Sequence, residues 1–192
     1  MGGDNSPDAT LNGAYLASKN LKENEKIVLV GDENIAKKWF LSNHIDSSIF
    51  EFIHADEVIT MNEHATKALR KKPNNSISVG FKALKEKKID VFSSAGNSGA
   101  MLVGSMFSIG PIKGVIRPSI TSVLPKKNGG VGLILDVGVN ADCKPDVLFQ
   151  FAILGSLFAE NIYNIKTPRV GLLNIGEEKG KGNLLTQATY RL

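Results

Sequence analysis

Small and polar residues that suit anion binding cluster between Ser93 and Gly104, in the run Ser-Ser-Ala-Gly-Asn-Ser-Gly-Ala-Met-Leu-Val-Gly. The apolar residues Ile89–Phe92 before this run predict a buried strand, and the apolar residues after it predict a buried helix. Glycine lets the backbone bend tightly and approach a ligand, and the unpaired first amides of a helix attract anions. The residues predicted to hold an anion, with phosphate the natural candidate, are Ser94, Gly96, Asn97, Ser98 and Gly99. The alternative is an ordinary helix start that Ser or Asn caps.

This run differs from three known phosphate-binding and catalytic motifs. It lacks the Gly-Lys-Ser/Thr ending of a Walker loop and the Gly-x-Gly-x-x-Gly pattern of dinucleotide-binding folds. Ser98 is followed directly by Gly99, so the spacing of a nucleophile elbow is also absent. A nucleotide-dependent dehydrogenase is therefore disfavoured.

Other polar clusters follow other predicted strands. Gly31-Asp32 follows the first strand, a run from Asp136 to Asp142 follows another, and a glycine-rich run from Asn174 to Asn183 follows the last. Ligands of parallel α/β sheets lie beyond the carboxyl ends of the strands. The convergence predicts one shared site more strongly than any single motif does.

Strand and helix patterns alternate along the chain. The predicted strands are Ile27–Val30, Phe50–His54, Ile89–Phe92, Ser119–Leu124, Val131–Val137 and Val170–Ile175. The predicted helices run from Asp8 to about Leu21, over Ile35–Leu41, Asn62–Lys72, Ser76–Lys88 and Asp146–Tyr163, and from Asn183 onward. We expect Asp146–Tyr163 to be buried over much of its surface. The alternation predicts an α/β layered fold with a mostly parallel sheet, as a single domain over residues 1–192.

Composition restricts the class of protein. The chain has 192 residues, a net charge of +4 and one cysteine, Cys143, so it cannot form an internal disulfide. A reducing cytoplasm fits this cysteine content, and the mild charge suits anionic ligands or an acidic partner without indicating nucleic acid. The three histidines and one cysteine show no metal-ligand spacing, so no metal site is expected.

Several motifs together resemble one family, the bacterial phosphate acyltransferases known as PlsX. The matching runs are Met-Gly-Gly-Asp-Asn at 1–5, Ser-Ala-Gly-Asn-Ser-Gly-Ala at 94–100, Arg117-Pro118, Leu-Asp-Val-Gly-Val-Asn-Ala-Asp-Cys-Lys-Pro at 135–145, Pro-Arg-Val-Gly-Leu-Leu-Asn-Ile-Gly-Glu-Glu at 168–178 and Lys181-Gly182-Asn183. The resemblance implies a three-layer α/β/α sandwich related to phosphotransacetylases and isocitrate-type dehydrogenases. Relatives have a strand before the first motif and continue beyond Leu192, so we expect this chain to be the N-terminal part of a longer fold.

The resemblance also implies an activity. Family members transfer a fatty acyl group from acyl carrier protein to inorganic phosphate, and the acyl phosphate feeds phospholipid synthesis. They need no cofactor, form homodimers, and are cytoplasmic with peripheral membrane association. The alternatives are a coenzyme A phosphotransacetylase of the same broad fold, or an inactive fragment that only binds phosphate or carrier protein.

The implied reaction needs a phosphate cradle, oxyanion donors and tight positioning, because phosphate is already a nucleophile and a thiolate leaves readily. We predict that the catalytic residues are Asn97, Ser98, Lys181 and Asn183. We predict that the substrate-positioning residues are Asp4, Asn5, Asp136, Asn140 and Asn174. The alternative for each is a local role, in which the side chain caps a helix or closes a turn.

A basic face is predicted on the helices that precede the anion-binding run. Its members are Lys67, Arg70, Lys71, Lys72, Lys82, Lys85, Lys87 and Lys88. Such a face is usually a solvated helix surface, and it can also steer an acidic carrier protein toward the site.

Overall fold

A computed structural model describes residues 2–178 and 180–192 of the chain. The chain forms two compact units, the first ending at Gly110 and the second beginning at Pro111. We describe each unit by itself.

The first unit contains five helices and a two-stranded parallel sheet. Its elements are α1 (Asp8–Ser18), β1 (Val28–Gly31), α2 (Glu33–Ser42), a 3-10 turn (Ser47–Ile49), β2 (Glu51–His54), α3 (Ala65–Lys71), α4 (Ser76–Lys85) and α5 (Ser98–Ser108). Strands β1 and β2 pair in parallel, from Val28 opposite Glu51 to Gly31 opposite His54.

Two apolar clusters form the core of the first unit. One joins α1, α2 and the sheet through Leu11, Leu29, Ala36, Phe40 and Phe50. The other joins α3, α4 and α5 through Ile59, Ala68, Ile77, Phe81 and Ala100. Side-chain caps fix where helices begin, because the first amides of a helix lack internal partners. Asp32 caps α2 in this way and Asn75 caps α4.

The second unit contains an antiparallel strand pair and two helices. Its elements are β3 (Thr121–Pro125), β4 (Val131–Leu135), α6 (Pro145–Tyr163) and α7 (Leu184–Tyr190). Helix α6 begins with proline, whose fixed backbone angle suits a first helical turn, and it ends at Asn164 in the left-handed conformation. Gly155 gives α6 a close approach to β4, since a Cβ there would lie 3.0 Å from Leu135 Cδ1.

The predicted α/β composition is confirmed. All seven predicted helices form, counting the one expected after the glycine-rich turn, and four predicted strands correspond to β1 to β4, with small shifts at the ends of these elements. Two predicted strands are wrong. Ile89–Phe92 and Val170–Ile175 form no strand and pair with none in the described part of the chain. An apolar run forms a strand only where a neighbour accepts its hydrogen bonds, and Val91 and Ile175 are instead exposed at 79% and 88%.

Two further expectations need correction. The β3–β4 pair is antiparallel, whereas a mostly parallel sheet was predicted, because a short turn joins the two strands. Helix α6 buries only Val147, Phe151 and Ala159, while Phe149, Ile153 and Leu157 on the same helix are exposed. Within residues 2–178 and 180–192, no helix combines the length and the apolar character needed to cross a membrane.

Candidate functional site

Asn97 is the best-anchored polar side chain of the predicted anion-binding turn. It is the N-cap of α5, with its Oδ1 accepting a 2.9 Å hydrogen bond from the amide of Ala100. Its Nδ2 donates to the carbonyl oxygens of Thr60, Met61 and Glu63 at 3.0–3.2 Å. These three oxygens share two N–H hydrogens. We call this arrangement the Asn97 clamp.

The clamp uses both polar atoms of the Asn97 side chain, which is only 7% exposed. The alternative that Asn caps the helix is therefore confirmed. A part for Asn97 in phosphate binding remains a prediction, and the geometry favours a positioning role over direct contact. The clamp fixes the start of α5 relative to the loop at 60–63.

The next two residues leave backbone donors available. The amides of Ser98 and Gly99 open α5 and have no hydrogen-bond partner among the described residues, and Ser98 is exposed. Gly96 differs, because its amide donates to Ser94 Oγ at 3.1 Å. An anion at this turn would therefore meet the amides of Ser98 and Gly99, the Ser98 hydroxyl and the positive end of the α5 dipole.

The first loop of the chain lies directly against the turn. A Cβ at Gly2 would lie 3.6 Å from Gly96 Cα and 3.3 Å from the carbonyl oxygen of Ile59. Gly3 has a φ of +127°, and a Cβ there would lie 3.2 Å from the carbonyl oxygen of Ala95. Glycine at both positions permits this close approach. Asp4 and Asn5 follow in the same loop, and both are exposed.

The loop at 58–63 is fastened a second time by Lys72. Lys72 Nζ lies 2.7 Å from the carbonyl oxygen of Val58 and 2.7 Å from Glu63 Oε2. The Lys72 hydrogen bond, together with the amide of Thr60, holds the pKa of Glu63 below its ordinary value. Glu63 is therefore ionised at neutral pH and helps to fix the loop that the Asn97 clamp holds.

In the second unit, Asp136 organises the loop after β4. Its carboxylate accepts hydrogen bonds from the amides of Ile120, Val139 and Asn140 at 2.7–2.9 Å. Partial burial alone would raise the pKa of Asp136, but these donors together lower it below the ordinary value. Asn140 Nδ2 donates to the carbonyl oxygen of Pro118 at 2.9 Å. Asp136 and Asn140 are thus brought together and tie the loop to the segment before β3.

The neighbouring Cys143 has no sign of activation. Burial raises the pKa of its thiol, and the carboxylates of Asp136 and Asp142 act in the same direction, while Arg117 partly opposes them. A raised thiol pKa disfavours the reactive thiolate at neutral pH. The thiol therefore has no support as a nucleophile.

In the second unit, two asparagines hold the residues at 174–178 and 180–183. Asn174 Nδ2 donates to the carbonyl oxygen of Lys181 at 3.0 Å, and Asn183 Oδ1 accepts from the amide of Thr186 at 2.9 Å as the cap of α7. The side chain of Lys181 is exposed and forms no ion pair within the described residues. The loop thus presents a lysine on a backbone held by two asparagines.

Sequence reasoning missed the partners of Asn97. Thr60, Met61 and Glu63 lie 34–37 residues before it, and they take part through backbone carbonyls that any residue type would supply. No local sequence signal identifies them. Lys72 was expected to be a solvated member of the basic face, whereas it is half-buried and paired with Glu63.

The chain matches known proteins along its whole length. The family model described as "Fatty acid synthesis protein" matches residues 1–192. Proteins named "Phosphate acyltransferase" are similar to it: that of Dictyoglomus turgidum at 45% identity, that of Acetivibrio thermocellus at 46% and that of Oceanobacillus iheyensis at 44%. Each match covers 100% of this chain and 56% of the relative, so the chain spans little more than half the length of these proteins. On the strength of that end-to-end match, the chain belongs to the fatty acid synthesis protein (PlsX) family.

Proposed function

We propose that this protein transfers a fatty acyl group from acyl carrier protein to inorganic phosphate, giving an acyl phosphate for phospholipid synthesis. The observation that carries the proposal is the start of α5. In a chain similar from end to end to phosphate acyltransferases, two unpaired amides and a hydroxyl form a turn suited to an anion. The proposal needs no cofactor, because phosphate itself is the nucleophile.

The reaction is a single displacement at a thioester. A phosphate oxygen attacks the carbonyl carbon, a tetrahedral oxyanion forms, and its collapse breaks the carbon–sulfur bond. The sulfur leaves as the thiolate of the carrier protein, whose pKa of ~8.5 makes it a good leaving group without a strong acid. The acyl–oxygen bond remains in the acyl phosphate.

The proposed roles follow the contacts. The amides of Ser98 and Gly99 and the Ser98 hydroxyl hold the phosphate or the oxyanion, and a single such donor typically contributes about 3–4 kcal/mol to the transition state. Asn97 positions this turn through its clamp, with Ser94 and Gly96 shaping the backbone just before it. Lys181 supplies positive charge. The other predicted site residues position the substrates or hold the loops of the site: Asp4, Asn5, Asp136, Asn140, Asn174 and Asn183.

The proposal includes a larger assembly. The curated relatives are longer than this chain, which supports the proposal that residues 1–192 form the N-terminal part of one three-layer α/β/α sandwich domain. The same proposal places the enzyme in the cytoplasm as a homodimer that associates peripherally with membranes.

Acyl carrier protein is the proposed donor, and the basic face offers it a docking surface. Lys67, Arg70, Lys71, Lys82, Lys85 and Lys87 are exposed and form no ion pair with any described carboxylate. Lys72 and Lys88 are paired with Glu63 and Glu86 and are less available. An unpaired basic surface raises the association rate with an acidic partner, most strongly at low salt.

The test is release of free thiol from acyl carrier protein by this chain, with and without inorganic phosphate. The proposal expects phosphate-dependent release and a matching amount of acyl phosphate. Acyl coenzyme A is the comparison substrate, and faster turnover of that thioester would favour the phosphotransacetylase alternative. Absence of phosphate-dependent release from both donors would show that the chain is not itself an enzyme.

A further inference from the structure

A largely apolar cavity of about 320 Å³ lies in the first unit. Its apolar walls include Pro7, Ile35, Val58, Ile59 and Met61, and Gly2 and Gly3 complete one side. Ile35 and Met61 are 52% and 43% exposed although both are large apolar side chains. This rim leaves apolar surface in contact with water, which an apolar occupant would cover.

Two segments that line the cavity also contact the predicted anion-binding turn. Gly2 lies against Gly96, and the carbonyl oxygens of Thr60 and Met61 are held by the side chain of Asn97. The start of α5 is therefore in contact with two segments that line the cavity. No residue from Ser94 to Gly99 lines the cavity itself, so an acyl chain would reach it past the segments at 2–3 and 60–61.

Two polar residues of the lining, Asp32 and Thr60, are already engaged in hydrogen bonds. The carboxylate of Asp32 accepts from the amides of Asn34 and Ile35. The amide and hydroxyl of Thr60 both donate to Glu63, and its carbonyl accepts from Asn97. An occupant with several amides, such as the pantetheine arm, would lose hydrogen bonds to water without replacing them here. A hydrocarbon chain makes no hydrogen bonds to water and therefore loses none on entering the cavity.

We propose that this cavity holds the acyl chain of the thioester substrate. The inference rests on the proposed function, since it assumes that the reacting carbonyl lies at the α5 turn, and the first carbons of the chain are bonded to that carbonyl. A volume of 320 Å³ accommodates about ten groups the size of a water molecule at ~30 Å³ each. The cavity therefore selects for chains of medium length or longer, and the end of a long chain extends past Ile35 and Met61.

The test measures chain binding without turnover. Decanoyl-pantetheine and butyryl-pantetheine are titrated into the chain by calorimetry in phosphate-free buffer. The two probes share a head group, so the ratio of their dissociation constants isolates the extra methylenes. We expect decanoyl-pantetheine to bind at least about tenfold more tightly, as the burial of two or more methylene groups would produce.

Filling the cavity should remove that preference. Ile35→Trp and Met61→Trp are expected to bring the ratio close to one, and the matched control Leu41→Trp should leave it unchanged. Leu41 lies on the same helix as Ile35, is 77% exposed and is outside the cavity lining. Two filling variants are used so that a folding defect in one, seen by circular dichroism, leaves the other informative.

The outcomes separate this inference from the proposed function. The cavity assignment is overturned if the unaltered chain binds the two acyl-pantetheines with equal dissociation constants. It is also overturned if both filling variants keep the same ratio of dissociation constants as the unaltered chain. Either result counts even if phosphate-dependent thiol release is observed. A chain-length preference that the filling variants abolish supports the assignment even if that release is absent. In that case only the proposed activity fails.

Discussion

The two units bury their apolar side chains to very different extents. All but three of the buried apolar residues lie in the first unit, where Leu11 and Phe40 are fully inaccessible to solvent. Among its described residues, the second unit buries three apolar side chains, those of Val147, Phe151 and Ala159, and it leaves apolar residues of α6 and of the segment at 170–175 exposed. The first unit is therefore stabilised by its own core, whereas the second relies more on hydrogen-bonded loops.

The difference in burial determines how each unit holds its loops in place. In the first unit, the apolar cluster of α3, α4 and α5 holds α5 and the loop at 58–63 in place, so the predicted anion-binding turn is supported by packing as well as by the Asn97 clamp. In the second unit, Asp136 and Asn174 hold their loops largely through hydrogen bonds to backbone groups. A neutral hydrogen bond of this kind contributes about 1 kcal/mol net, and one to a carboxylate contributes about 1.5–3 kcal/mol.

The largest expected effect comes from matched phenylalanine substitutions in the two units. Phe40→Ala should lower the free energy of unfolding by about 3–5 kcal/mol, because Phe40 is buried and stacks on Phe50 at a centroid distance of 4.8 Å. Phe149→Ala should cost less than about 1 kcal/mol, since Phe149 is 41% exposed. Urea unfolding followed by circular dichroism measures both. Equal losses would show that the contrast in burial does not govern stability.

A smaller effect is expected from Asn97→Ala. Loss of the cap and of the donor to three carbonyls should cost about 2–3 kcal/mol and lower turnover. Asn97→Ser is the matched variant, because serine can cap α5 but cannot reach the loop at 60–63. Amide hydrogen exchange should then accelerate in that loop while the start of α5 stays protected. Unchanged amide exchange in Asn97→Ser would show that the Asn97 side chain does not hold the loop at 60–63.

In the second unit, a pair of glycines tests whether the loops alone determine stability. Gly182 and Gly138 have φ angles of +94° and +90°, so alanine should cost about 1–2 kcal/mol at either position from backbone strain. A Cβ at Gly182 would also overlap the side chains of Thr186 and Asn174, whereas nothing lies within 4 Å at Gly138. Gly182→Ala should therefore be the more destabilising of the two in thermal unfolding. The reverse order would contradict the loop geometry.

The smallest effect is a dependence on pH. Because the pKa of Asp136 is lower in the folded chain than its unfolded value of about 3.9, its carboxylate stabilises the fold above that value. This contribution should be lost as the pH falls below about 4 and through the folded pKa. Stability measured against pH should fall less steeply in Asp136→Asn than in the unaltered chain. A carbon NMR titration that gives Asp136 an ordinary pKa would contradict the expectation.

Sequence patterns predicted the helices well because the signals that start a helix are local. Asn183 was expected to begin the last helix and does cap α7, and the cap at Asn97 was foreseen as an alternative to anion binding. The strands were less predictable. Ile89–Phe92 and Val170–Ile175 have the composition of strands, but strand formation depends on a partner that composition does not reveal.

The site was predictable only in part for the same reason. The residue types and spacing at 94–99 indicated a turn suited to an anion, and the structure places free amides there. The loop that Asn97 holds could not be foreseen, because the contacts join a side chain to carbonyl groups 34–37 residues away. Asp136 accepts from the backbone amide of Ile120 and Asn174 donates to the backbone carbonyl of Lys181, so these partners too have no signal in their residue types.

The Asn97 clamp has a consequence for motion. One amide group secures both the start of α5 and the loop at 60–63, so neither segment can swing outward without releasing the other. We therefore expect the two segments to move together, so that the predicted anion-binding turn keeps its position relative to the loop at 60–63. A substrate would enter past the exposed side chains of Ile35 and Met61 rather than through an opening loop.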